Sequence, residues 1–73
     1  MEQAIVQVKG LHCMGCVARL ERALRRVEGL HRSKVDLNRE TVDLAYEAGT
    51  VDERGISSVI EDTGFEVIAW APQ

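Results

Sequence analysis

Residues 35–47 read Val35-Asp36-Leu37-Asn38-Arg39-Glu40-Thr41-Val42-Asp43-Leu44-Ala45-Tyr46-Glu47. Val42, Leu44 and Tyr46 alternate with Asp43, Ala45 and Glu47, and Val35 and Leu37 continue a weaker run that begins at Leu30. Period-two alternation of this kind marks strands with one buried face, and the polar Asn38-Arg39-Glu40 between the runs predicts the turn of a β-hairpin. What stands on either side of the hairpin decides the architecture.

Upstream, Val17, Leu20, Leu24 and Val27 fall on one narrow stripe at helical spacing while Arg19, Arg22 and Arg26 point the other way. This predicts an amphipathic helix from Cys16 to about Glu28, stopped by Gly29. Before it, Val6 and Val8 alternate with Ile5, Gln7 and Lys9 in a strand that ends at Gly10. Downstream, Thr50 and Glu53 have capping-box spacing for a second helix, with Ile56, Val59 and Ile60 as its buried stripe and Gly64 as its stop. Gly55 weakens that helix by about 1 kcal/mol relative to Ala. Phe65, Val67 and Ala69 begin a last strand that ends near Pro72. The order βαββαβ predicts the α+β ferredoxin-like fold, a four-stranded antiparallel sheet with two helices on one face.

At 73 residues the chain is expected to form one domain, with a core too small to enclose an active-site cavity, so function is expected at the surface. Apolar residues make up 45% and charged residues 29%, an ordinary globular balance without low-complexity stretches. No run approaches the roughly 20 apolar residues of a membrane span, and no secretory signal is evident, so the reading is a soluble cytoplasmic domain with no membrane contact of its own. Net charge is −3, but residues 1–34 carry seven Lys/Arg against three Glu, while residues 35–73 carry two Arg against nine Asp/Glu. The Arg19, Arg22, Arg25 and Arg26 cluster has no aromatic platform beside it and the chain is acidic as a whole, which argues against nucleic acid. A solvated helix face, or recognition of an acidic protein patch, fits it better.

Chemistry is concentrated in Gly10-Leu11-His12-Cys13-Met14-Gly15-Cys16, between the first strand and the first helix. Two sulfurs separated by two residues at the entry to a helix can converge on one ion, and the unpaired N–H groups and positive dipole end favour thiolate there. Two thiolates with no further Cys and no carboxylate in the loop suit a soft, low-coordinate ion such as Cu(I), whereas a structural Zn²⁺ site wants four ligands. Met14, between the two, is expected to point outward at a docking surface, and Trp70 to cap the core or lie on the sheet. A CxxC pair also occurs in thiol oxidoreductases. Against that enzymatic alternative, the order of elements lacks the parallel βαβ pairing of thioredoxin-like domains and the loop carries no Pro.

The wider pattern resembles the heavy-metal-associated domain family, found as free copper chaperones and as N-terminal domains of metal-transporting P-type ATPases. The resemblance is carried by Gly10 to Val17, by Val27-Glu28-Gly29-Leu30, by Val35-Asp36-Leu37 and by Ile60-Glu61-Asp62-Thr63-Gly64-Phe65. It implies that Cys13 and Cys16 are metal ligands, that Leu11 is the buried prop of the loop, and that Phe65 packs beside the site. It further implies a non-catalytic carrier that binds one Cu(I) and passes it by ligand exchange to a protein partner, another CxxC domain or a Cu(I) ATPase. Phe65 and the acidic second half favour the ATPase form, while the basic first helix suits either. The sequence departs from the family at Leu11, where Met is usual, and at His12, where Thr or Ser is usual. The first swap conserves volume. The second leaves open a third ligand, a shift toward Zn²⁺ or a side chain in solvent. Hg²⁺, Zn²⁺ and Cd²⁺ remain alternatives as cargo, and a homodimer bridged by shared Cu(I) is compatible with an exposed two-coordinate site.

Overall fold

In the computed structural model, which describes residues 1–73, the first strand β1 runs from Glu2 to Lys9 and buries Ala4, Val6 and Val8 on one face. The chain continues through α1 (Met14–Arg25), β2 (Leu30–Asp36), β3 (Thr41–Tyr46), α2 (Glu53–Asp62) and β4 (Glu66–Pro72). The sheet order is β2-β3-β1-β4 and every neighbouring pair is antiparallel. This is the expected βαββαβ ferredoxin-like arrangement.

The two helical stripes meet the inner face of the sheet. Val17, Leu20 and Leu24 from α1 and Ile56 and Ile60 from α2 join Ala4, Val6, Val8, Val42, Leu44 and Tyr46 in one core cluster. No polar or charged residue is buried in it, so its stability comes from apolar area removed from water and close packing. Trp70 packs at its margin, its ring edge-on to Tyr46 with centroids 6.0 Å apart. Trp70 and Tyr46 come from the two strands that flank β1.

Several boundaries differ from the sequence reading, each for a local reason. Helix α1 begins at Met14, with Cys13 as its extended N-cap, and not at Cys16. It ends at Arg25, where the N–H groups of Arg26 and Val27 bond three residues back, to Ala23 and Leu24, and tighten the last turn. Gly29, at φ 91°, then turns the chain into β2; a Cβ there would lie 2.8 Å from Thr50 Cβ. Strand β2 stops before Leu37, because the Asp36 carboxylate accepts from the Arg39 N–H at 3.2 Å and starts the turn early. Helix α2 is capped by Asp52 and not by Thr50. The Asp52 carboxylate accepts from the Gly55 N–H at 2.8 Å, while the Thr50 N–H is engaged by the Glu47 carbonyl in the preceding turn. Phe65 precedes β4 instead of opening it, and Pro72 is its last residue, on an edge strand where a missing N–H is tolerated.

Candidate metal centre

The end of β1 and the start of α1 fix the geometry of the site. Gly10 adopts φ 112°, a conformation open to Gly, and swings the chain out of the sheet. Leu11 turns back into the core at 4% exposure and pins the loop from beneath. Cys13 then takes extended dihedrals as the N-cap of α1, and its carbonyl accepts the N–H groups of Cys16 and Val17 at 3.1 and 3.2 Å. These bonds wind Cys16 into the first helical turn, beside Cys13.

The two sulfurs lie 3.6 Å apart, with the Cys13 thiol donating to Cys16 Sγ. Both cysteines are free, Cys13 exposed and Cys16 partly buried against the core. The pair therefore has one anchored sulfur and one accessible sulfur. Gly15 leaves the flank of Cys13 open, since a Cβ there would stand 3.6 Å from its Sγ. No acidic side chain occupies the first turn of α1, so the positive end of the helix faces the sulfurs without competition from a carboxylate. The Cys16 thiol is held below its ordinary range, first by hydrogen bonding from the His12 backbone and then by the Cys13 thiol, with burial opposing. Hydrogen bonds to the charged form and a nearby cation both favour thiolate.

The surrounding residues sort clearly. No group of three or more His, Cys, Asp and Glu side chains converges to make a metal cluster anywhere in the chain. His12 is exposed and, with Glu40, Glu61 and Glu66, lines a shallow depression of about 600 Å³ next to the loop. Met14 is 69% exposed beside the sulfurs, as expected. Phe65, 6% exposed, lies against Gly10, where a Cβ would come within 3.2 Å of its Cδ1. The guanidinium of Arg19 lies 6.0 Å from the Phe65 ring centre. The sequence reading placed Arg19 only in a charged helix face. Its position three residues after Cys16 was the available signal, because residues three apart are neighbours on a helix.

A dithiol at the head of α1, with Cys13 exposed and Cys16 partly buried, on a ferredoxin-like scaffold defines a small α+β module that carries a sulfur pair at its surface. Residues 5–66 match the heavy-metal-associated domain, and the chain belongs to that family. It is 34% identical over 67 residues to the copper chaperone CopZ of Bacillus subtilis, covering 92% of this chain and 97% of that protein. It is 32% identical over 66 residues to a probable copper-transporting ATPase, HMA5, of Arabidopsis thaliana, covering 90% of this chain but only 7% of that protein. The crystal structure of a copper-binding domain from HMA7, a P-type ATPase, superposes with a TM-score of 0.89 at 33% identity, over 96% of this chain and 97% of that one. The chain thus spans nearly the whole of the chaperone and a small fraction of the ATPase.

Proposed function

We propose that these 73 residues act as one copper-carrying domain that binds a single Cu(I) between the thiolates of Cys13 and Cys16 and passes it to a protein partner. The observation that carries the reading is the isolated sulfur pair, 3.6 Å apart at a helix N-terminus with no third side-chain ligand converging on it. Such a donor set offers two soft ligands and leaves the remaining positions open, which suits a soft monovalent ion. The names of the relatives, a copper chaperone and copper-transporting ATPases, support copper as the cargo.

Transfer follows from the unequal exposure of the two sulfurs. A partner thiolate approaches from the Cys13 side and adds to the ion as a third ligand. One resident sulfur then leaves, and a second partner thiolate takes its place, so the ion is never released to water. The domain itself breaks no substrate covalent bond and is not an enzyme. Its partner is another CxxC domain or a Cu(I) ATPase, and its place is the cytoplasm, as a free chaperone or as the cytosolic domain of a transporter. No helix is long and apolar enough to cross a membrane.

Exchange between two copies of the chain tests the transfer step. Cu(I)-loaded protein is mixed anaerobically with an isotopically labelled apo copy, and loading of the label is followed by NMR at rising apo concentration. A rate that grows with apo concentration and exceeds release to a chelator too bulky to reach the sulfurs supports associative exchange. A rate equal to spontaneous release, whatever the apo concentration, contradicts it.

A further inference from the structure

Arg19 stands one helical turn after Cys16 on α1, on the same side of the helix. Its guanidinium lies within cation–π range of Phe65, 6.0 Å from the ring centre. Phe65 is itself buried and seated against Gly10, at the start of the sulfur-bearing loop. The ring therefore holds the charge at the loop. No carboxylate neutralises it, since the ion pairs of the chain join His31 to Glu47, Arg32 to Asp43 and Arg39 to Asp36. A guanidinium stays protonated throughout the accessible pH range, so this is a permanent, unpaired cation.

We infer that Arg19 is a specificity-determining residue, whose charge makes the Cys13/Cys16 pair favour a monovalent soft ion over a divalent one. The inference rests on the reading that these two sulfurs hold the ion, and it follows from counting charge. Both complexes form from the same apo pair, so only the charge of the loaded site decides between them. Two thiolates and a monovalent ion sum to one negative charge beside Arg19, whereas two thiolates and a divalent ion sum to none, so the attraction to Arg19 is present only in the monovalent complex. The fixed cation thus favours the monovalent complex over the divalent one.

Because Arg19 is exposed, solvent and salt screen the effect. An exposed interaction of this kind amounts to roughly a two- to fivefold change in an equilibrium, fading as ionic strength rises. The test is a set of anaerobic competition titrations with Cu(I) and with Zn²⁺, on the native chain, Arg19→Gln, Arg19→Lys and Cys16→Ser, in low and in high salt. Arg19→Gln is expected to lower the Cu(I)/Zn²⁺ affinity ratio by that roughly two- to fivefold factor in low salt. Arg19→Lys should retain most of the native ratio, and the difference between native and Arg19→Gln should shrink in high salt. A ratio unchanged in Arg19→Gln, or changed equally in both salts, overturns the role of Arg19. Native-like Cu(I) binding by Cys16→Ser is a different failure, because it overturns the sulfur site and the inference with it.

Discussion

The residue with the most to say about the chemistry is Cys16. Its thiol sits below the ordinary range because the His12 backbone and the Cys13 thiol both stabilise the thiolate. The folded value is therefore lower than the unfolded one. The corresponding stability is present above the unfolded pKa and is lost as pH falls through the folded pKa. Thiolate absorbance of the reduced apo chain is predicted to rise at lower pH than that of the unfolded chain. Cys13→Ala should move the Cys16 midpoint upward, since it removes the side chain that donates to the Cys16 sulfur. A Cys16 midpoint at the value of the unfolded chain would contradict the described hydrogen bonding. At this scale the sequence was informative about identity and silent about environment. The spacing of Cys13 and Cys16 and the glycine before them were enough to anticipate that the two sulfurs come together, as they do at 3.6 Å. The partnership of Arg19 with Phe65 joins positions 46 residues apart in the chain, and no local pattern reports a contact made only when α1 and the turn before β4 come together.

Among the elements, α2 shows most directly how much periodicity reveals and where it stops. Ile56 and Ile60 are fully buried, as their spacing predicts. The start of the helix was misplaced because Thr50 and Asp52 are both competent caps, and only the fold decides between them. Thr50 is drawn into the turn that follows β3, where its Cβ closes over Gly29, and Asp52 is left to cap Gly55 at 2.8 Å. Asp52→Ala is predicted to destabilise the chain by about 1 kcal/mol, and Thr50→Ser, which leaves the cap intact, by less. Chemical denaturation of the two variants checks the assignment, and the reverse order of effects would restore Thr50 as the cap. Gly55 also looks different in place. A Cβ there would stand 3.2 Å from Val51 Cγ2 and 3.4 Å from the Asp52 carboxylate, so crowding at the cap offsets the helix propensity that Ala would supply. The β2 boundary follows the same logic, since the Asp36 side chain starts the turn before the apolar alternation has run out.

For the whole molecule, the alternating strands and the two apolar stripes were sufficient to give the topology, because each element has one buried face and few arrangements bury all of them together. The resulting scaffold places the cysteine loop at one end of the sheet, with Leu11 held in the core below and Phe65 held beside it. Rigid support beneath and an open approach above are what a carrier requires, since the ligands must be preorganised and yet reachable by a second protein. Charge is distributed on the same scale. The arginines of α1 and the carboxylates of the second half give the surface two signs, a property that governs the rate of encounter with partners more than the strength of the contact.

Joint binding of one Cu(I) by the two sulfurs is open to direct measurement. Reduced native chain, Cys13→Ser and Cys16→Ser are titrated anaerobically with Cu(I) against a chelator of known affinity. One Cu(I) per native chain is expected to be withdrawn from the chelator, and none by either serine variant while both remain folded. Native-like retention of copper by either variant, or failure of the native chain to compete at all, would contradict it.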